Sequence, residues 1–197
     1  MRGSIWVALT LTIQAPGYLS YREGQGRAVV LNDSGVQAKG AVAAGDDDAV
    51  METLLGHFPD TVCLQAATGG SLRRIGGHFR ADNSTGSNYT GPYWTILAFS
   101  PSPRKGLAAG KALQQELFIA IDEATGFIAE VRTVVNTGPA SRTVQQVNQT
   151  QFSNWFQQGD QWFPGKITRL ESGKQTLSFQ VQQAAVGTAA AVSAFIP

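Results

Sequence analysis

The chain has 197 residues, of which 43% are hydrophobic and 15% are charged, so it is long enough to bury one sizeable core. Its 15 basic and 14 acidic residues are spread along the sequence and give a net charge of +1, which argues against a nucleic-acid partner or an anionic membrane surface. Its single cysteine excludes an internal disulfide, and no apolar run approaches the roughly 20 residues that span a bilayer, so we expect no stable membrane insertion.

The N-terminal residues combine a leader-like start with a strand-like pattern. Met1–Ser4 is typical of an expression leader, and the next run, Ile5–Ile13, is either a fragment of a signal sequence or a β-strand. Aliphatic residues alternate there with Trp6, Ala8 and Thr10, which favours the strand. We expect a periplasmic or secreted protein whose native signal peptide is missing from this sequence.

Short polar turns divide the first third of the chain into β-strands. Turn-forming residues at Ala15–Gly17, Glu23–Gly26 and Asn32–Gly35 separate runs that are rich in β-forming residues. The pattern predicts a hairpin, with strands near Tyr18–Tyr21 and Ala28–Leu31, followed by a further short strand.

A helical period replaces the β pattern between residues 46 and 69. The apolar residues that recur at helical spacing are Val50, Met51, Leu54, Leu55 and Phe58. Asp46–Asp48 would cap the N-terminus of this helix and oppose the positive end of its dipole. Pro59 interrupts the pattern, so we expect a break there and a second short helix that ends at Gly69–Gly70.

The second half of the chain returns to β-strands. The predicted strands are Leu72–Phe79, Tyr93–Phe99, Gln115–Ile121, Phe127–Val135 and Thr143–Gln151. Polar loops over residues 81–90 and 100–110 separate the first three of them. Asp122–Gly126 joins the next pair as a hairpin loop, with Gly126 at the position that needs a positive φ.

The stretch from Phe152 to Phe179 predicts a β-meander that anchors the fold. Gln158–Gln161 and Glu171–Lys174 each supply a two-residue turn that contains glycine. Pro164 cannot donate to a strand ladder, so we expect a strand to begin after it or to bulge there at a sheet edge.

About ten antiparallel strands with one helical insertion place the chain in the α+β class. A single sheet of this width tends to curl, because the twist between its strands accumulates. We therefore expect one domain over residues 1–197, built on a large curved antiparallel sheet, or half-barrel. The helical insertion of residues 46–69 is expected to cover the apolar concave face of that sheet.

Several segments resemble a family of uncharacterised exported proteins of acidobacterial type. The segments are GPYWTILAF from Gly91, the D-x-x-T-G hairpin at Asp122–Gly126, W-x-P-x-x-I-x-R at Trp162–Arg169, and F-x-P at Phe195–Pro197. That family in turn resembles the LolA/LppX-like half-barrel superfamily of lipoprotein carriers and lipid-binding lipoproteins.

The resemblance implies an apolar cavity for acyl chains, closed by a helical lid. In this sequence the lid would be Val50–Phe58 and the inward aromatic strand Tyr93–Phe99. The ligand-binding residues that follow from this placement are Leu54, Leu55, Phe58, Tyr93, Trp94 and Phe99.

Candidates for catalysis are few. No G-x-S-x-G or H-E-x-x-H motif is present, and the two histidines are His57 and His78. His57, near a predicted helix end, is favoured as a C-terminal cation over a general base. Ionisable residues crowd around His78 beside a polar loop, so His78 and Asp82 are the catalytic candidates; the alternative is a solvated strand and loop.

No cofactor is expected from the sequence. No Cys/His spacing resembles a zinc site, and Cys63 between Val62 and Leu64 predicts a buried thiol. Asp46–Asp48 lacks the spacing of an EF-hand loop, and Asp122–Glu123 offers too few oxygens alone. We predict no metal-ligating residue, and calcium stays an open alternative.

The leading hypothesis is an exported, non-catalytic protein that holds a hydrophobic ligand in the concavity of a half-barrel. That ligand would be an acyl chain, a lipid or a lipoprotein. The alternative is a small hydrolase of lipophilic esters or lactones that uses the same pocket, with His78 and Asp82 activating water. A third hypothesis is a structural surface protein whose sheet edge pairs with a partner. The sequence leaves the oligomeric state open.

Overall fold

The structure is a computed structural model that describes residues 9–14, 18–23, 27–32, 35–39, 53, 56–69, 71–83, 85, 88–100, 116–137 and 144–184. These residues contain thirteen strands and one α-helix. The strands are β1 (Leu9–Gln14), β2 (Tyr18–Glu23), β3 (Arg27–Asn32), β4 (Gly35–Lys39), β5 (Ser71–Arg80), β6 (Tyr93–Ser100), β7 (Leu117–Asp122), β8 (Ile128–Thr137), β9 (Val144–Ser153), β10 (Phe156–Gln158), β11 (Gln161–Phe163), β12 (Lys166–Glu171) and β13 (Lys174–Gln180). The helix is α1 (Pro59–Gly69).

The chain divides into two compact units. The first consists of Met1–Leu64, Pro103–Ala112 and Gly187–Pro197, and the second of Gln65–Ser102 and Leu113–Val186. Strands β1 to β4 form an antiparallel four-stranded sheet in chain order within the first unit. The hairpin predicted from the turn residues is therefore confirmed, while the single domain over the whole chain stays a prediction.

The second unit contains a seven-stranded antiparallel sheet. Its strand order is β13-β12-β9-β8-β7-β6-β5, and β10 and β11 form a separate two-stranded sheet. The prediction of a mostly antiparallel α+β protein is confirmed. The order within the large sheet is open, with β5 and β13 at its edges, so the half-barrel stays a prediction.

One face of the large sheet carries most of the buried apolar side chains. The strand register aligns Phe99 with Leu117 and Phe152 with Ile167, and all four side chains are buried. Polar side chains interrupt this face, because Thr133, Asn148, Thr150 and Arg169 are buried on the same side of the sheet.

A buried carboxylate organises the opposite face. Glu130 on β8 accepts two hydrogen bonds from the guanidinium of Arg132, the shorter of which is 2.6 Å. The side-chain amides of Gln149 and Gln151 on β9 also donate to it, at 3.2 to 3.4 Å. A buried carboxylate is tolerated when it is paired and hydrogen-bonded in this way.

The tight turns confirm the predictions made from local chemistry. Ser172 and Gly173 both have positive φ angles, of 49° and 82°, as a type I′ hairpin between β12 and β13 requires. Gly126 has a φ of 74° in the predicted loop between β7 and β8. Pro164 lies between β11 and β12, so the next strand begins after it, as expected.

Strand β5 is an irregular edge strand. Its register against β6 shifts twice, between Arg74 and Gly76 and between Gly76 and Phe79. The large exposed hydrophobic side chains on this strand are Leu72, Ile75 and Phe79. Each shift inserts one extra residue into β5, which is the definition of a β-bulge.

Helix α1 is the second short helix that the sequence predicts, and it begins at Pro59 and ends at Gly69. Proline is favoured at a first helical position because its missing N–H has no partner there anyway. Most of the predicted lid helix Val50–Phe58 lies outside the described residues; within it, Thr53 and His57 are buried. Among the described helical residues, none forms a helix long and apolar enough to cross a membrane.

Candidate functional site

A cleft of about 580 Å³ opens on the second unit, at one end of the large sheet. Five of its strands and the loop between β5 and β6 contribute to the walls. The lining residues are Ala81, Asp82, Tyr89, Gly91, Pro92, Trp94, Asp122, Ala129, Gln151, Phe152, Ser153, Lys166 and Thr168. This volume falls within the range of ordinary small-molecule sites, about 300 to 1,000 Å³.

Tyr89 holds the loop that forms one wall of the cleft. Its hydroxyl donates to the carbonyl oxygen of Pro92 at 2.5 Å and accepts from the backbone N–H of Ala81 at 2.9 Å. The Arg80 guanidinium lies 5.2 Å from the centre of the Tyr89 ring. A Cβ on Gly91 would lie 2.6 Å from the Tyr89 hydroxyl oxygen, so this tight packing requires glycine there.

Trp94 provides an apolar wall with one unused polar group. Its indole Nε1–H is buried and has no hydrogen-bond acceptor among the residues that the structure describes. A buried donor without an acceptor costs free energy, about 1 to 3 kcal/mol.

Charged groups lie at the polar side of the cleft, where Asp82, Asp122 and Lys166 are among the lining residues. The Asp122 carboxylate is occupied locally, since its Oδ1 accepts from the backbone N–H groups of Ala124 and Thr125, at 2.9 and 2.8 Å. Lys166 is exposed. It is therefore a charged side chain that a bound ligand could meet at the mouth.

A second constellation lies around His78. Its Nδ1 donates to Glu123 Oε2 at 3.1 Å, while its backbone N–H donates to Glu123 Oε1 at 2.6 Å. The Thr95 hydroxyl also donates to Oε1, at 3.0 Å. These three hydrogen bonds stabilise the carboxylate and hold the pKa of Glu123 below its ordinary value. The bond from the His78 backbone N–H has the largest effect on this pKa.

The second bulge of β5 sets the position of His78. Two residues, Gly77 and His78, stand opposite Thr95 alone, and His78 has a φ of 65°. A non-glycine residue in this conformation is strained, and surrounding contacts must hold it. The ring of Tyr93 stacks on the His78 ring, with 4.1 Å between the ring centres and 7° between the planes. The Glu123 carboxylate accepts from Nδ1 at the edge of the His78 ring.

The predicted site residues are distributed over different places. Trp94 and Asp82 line the cleft, whereas Tyr93, on the opposite face of β6, stacks on His78. Phe99 is completely buried in the large sheet. Phe58 is half-buried in the first unit. Leu54 and Leu55 lie outside the described residues.

The prediction of a buried Cys63 is wrong, because Cys63 is exposed on α1. Partial desolvation and, secondarily, the nearby Asp60 carboxylate raise the pKa of its thiol, which makes it a poor nucleophile at neutral pH. In the described ranges, no three His, Cys, Asp or Glu side chains converge as a metal site would require.

Acidification is expected to remove the stabilisation that Glu123 contributes. Because its pKa in the folded protein lies below the ordinary value of 4.5, the contribution is present above about pH 4.5 and is lost as the pH falls through the lowered value. Thermal unfolding of the wild type and Glu123→Gln should show a Tm difference that is largest near neutral pH and shrinks toward acid. Thr95→Val should reproduce part of the loss. A difference that stayed constant across this range would contradict the assignment.

No protein-family model matches this chain, and no curated protein and no solved structure matches it. The resemblance to the LolA/LppX-like half-barrel proteins therefore stays a prediction.

Proposed function

We propose that this chain is an exported, non-catalytic binding protein for a hydrophobic ligand such as an acyl chain or a lipid. The ligand's apolar part would occupy the cleft between Trp94 and Tyr89. The observation that carries the proposal is the cleft itself, about 580 Å³ in volume, with the aromatic residues Trp94 and Tyr89 in its wall. Curvature of the large sheet into a half-barrel, a lid from Val50–Phe58 and export from the cytoplasm belong to the same proposal.

The lining residues suggest an amphipathic ligand rather than a pure hydrocarbon. Aromatic and aliphatic walls stabilise an apolar chain through the area they remove from water, by about 25 cal/mol per Å². Lys166 could pair with a carboxylate or phosphate head group.

A fluorescence titration with N-phenyl-1-naphthylamine, followed by displacement with dodecanoic acid, tests this proposal. Trp94→Ala is expected to weaken binding about tenfold or more, since a buried aromatic anchor is removed. Trp94→Phe keeps an apolar ring of smaller area, so its affinity should fall less, about two- to tenfold. Trp162→Ala is the matched control, because Trp162 is an exposed tryptophan outside the cleft.

Two results would contradict the proposal. One is the absence of any saturable binding of the probe to the wild-type protein. The other is equal weakening in Trp94→Ala and Trp162→Ala, which would place the probe on the surface rather than in the cleft. Dodecanol in place of dodecanoic acid tests the role of Lys166, since only the acid carries a charge for it.

A small hydrolase of lipophilic esters or lactones is the second candidate function. The observation in its favour is the pairing of His78 with Glu123, because a carboxylate on Nδ1 fixes the ring and leaves Nε2 as a proton acceptor. The sequence-based hypothesis chose Asp82 as the carboxylate, whereas Asp82 lines the cleft and His78 is not among the lining residues. Unchanged turnover of acyl esters and lactones in His78→Ala would exclude this function.

A further inference from the structure

The hairpin of β10 and β11 carries an aromatic surface that the cleft does not use. Trp162 on β11 is 46% exposed, and its ring centre lies 5.0 Å from that of Phe127. Phe127 in turn stacks on Trp155, with 4.7 Å between the centres and 15° between the planes. We call Phe127, Trp155 and Trp162 the Trp162 platform. Phe127 and Trp155 support each other, and Trp162 presents the exposed ring.

An unused amide lies beside the exposed ring. The register places Gln157 directly across from Trp162, on the same face of the hairpin. In the part of the chain that the structure describes, the side chains of these two residues make no hydrogen bond with protein groups. The Gln157 amide therefore offers its donors and its acceptor to a ligand that rests on the ring.

The charges of the hairpin narrow the class of partner. Its sequence from Phe156 to Phe163, FQQGDQWF, contains Asp160 and no lysine or arginine. A nucleic acid or an anionic membrane surface would need cationic side chains here. A cage for a quaternary ammonium group needs several free ring faces around one point, whereas Phe127 and Trp155 use one face on each other. A neutral ligand with many hydroxyl groups fits best.

We infer that the Trp162 platform binds a neutral carbohydrate, by stacking one pyranose ring on Trp162. The axial C–H groups of an equatorially substituted pyranose form a flat apolar face that packs on an indole ring, and its edge presents hydroxyl groups. Gln157 would exchange hydrogen bonds with those hydroxyls. This site is separate from the proposed ligand cleft and does not depend on it.

Isothermal titration calorimetry, with cellohexaose and hexa-N-acetylchitohexaose as neutral soluble probes, tests the inference. Trp162→Ala is expected to weaken binding about tenfold, and Trp162→Phe less, because a smaller ring remains. Gln157→Ala should weaken binding about two- to tenfold by removing one hydrogen-bonding partner. Phe79→Ala is the matched control, since Phe79 is 43% exposed on β5, and it should bind like the wild type.

Thermal unfolding of each variant shows whether the protein still folds. If Trp162→Ala does not fold, Trp162→Phe and Gln157→Ala still test the site. Failure of the wild type to bind either oligosaccharide would overturn the inference. So would equal binding by Trp162→Ala and Phe79→Ala. Co-sedimentation with neutral phosphatidylcholine vesicles that is lost in Trp162→Ala would instead assign the platform to a lipid surface. Displacement of N-phenyl-1-naphthylamine from the cleft should stay unchanged in Trp162→Ala, which separates this test from that of the proposed function.

Discussion

Replacement of Phe99 by alanine is expected to lower the free energy of unfolding by about 3 to 5 kcal/mol. Phe99 is completely buried, and its neighbours across the strands are Leu72 on β5 and Leu117 on β7. Removal of the ring takes away its apolar burial and leaves a cavity that a regular sheet can close only in part. Urea unfolding monitored by circular dichroism would measure the change from the midpoint, with the m value held constant.

This prediction also decides between two roles for Phe99. The resemblance to lipid carriers makes Phe99 a ligand-binding residue, whereas its burial makes it part of the core. Phe79→Ala on the neighbouring strand is the control, and it should cost less than about 1 kcal/mol because that ring is 43% exposed. If Phe99→Ala kept wild-type stability and lost only probe binding, the core assignment would be wrong.

Glu171→Gln is expected to destabilise the protein by about 1.5 to 3 kcal/mol. The Glu171 carboxylate accepts from Nε of Arg169 at 3.0 Å, and the Arg169 side chain is 2% exposed. Neutralising the carboxylate weakens a charged hydrogen bond to a buried guanidinium, and water cannot reach that cation to compensate. Urea unfolding at neutral pH gives the difference directly.

Glu116→Gln is the matched control for this effect. Glu116 and Glu171 have similar exposure, 34% and 33%, but the Arg73 partner of Glu116 is 58% exposed. Because solvent screens the exposed pair, its loss should cost at most about 1 kcal/mol. Equal costs for the two substitutions would show that burial of Arg169 does not govern the strength of its pair.

Local chemistry made the turns of this protein predictable. A glycine with positive φ is needed at residues 126 and 173, and the sequence places glycine there between strand-like runs. Proline at position 164 likewise ends one strand because it has no N–H to donate. Such signals depend on a few neighbouring residues, so the sequence alone suffices to find them.

Partners across the sheet were not predictable in the same way. Alternation with a period of two identifies a strand but not its neighbour, so the division into three sheets was missed. His78 and Glu123 are 45 residues apart and meet only because β5, β6 and β7 are adjacent. The same alternation, applied strictly, would have shown that Tyr93 and Trp94 face opposite sides of β6.

The error at Cys63 has a different cause. Burial was inferred from its apolar neighbours Val62 and Leu64, but successive residues of a helix point about 100° apart. Val62 is completely buried and Cys63 is exposed, as that rotation allows. Adjacent apolar residues indicate burial in a strand core far better than in a short helix.

The two bulges of β5 have a consequence for the behaviour of the protein in concentrated solution. A straight outer strand with Leu72, Ile75 and Phe79 exposed would offer a template on which another copy could add its own strand and begin to aggregate. Each extra residue breaks the even spacing of N–H and C=O groups that such stacking needs. The bulges of β5, the second of which positions His78, thus also hinder fibre growth from this edge of the sheet.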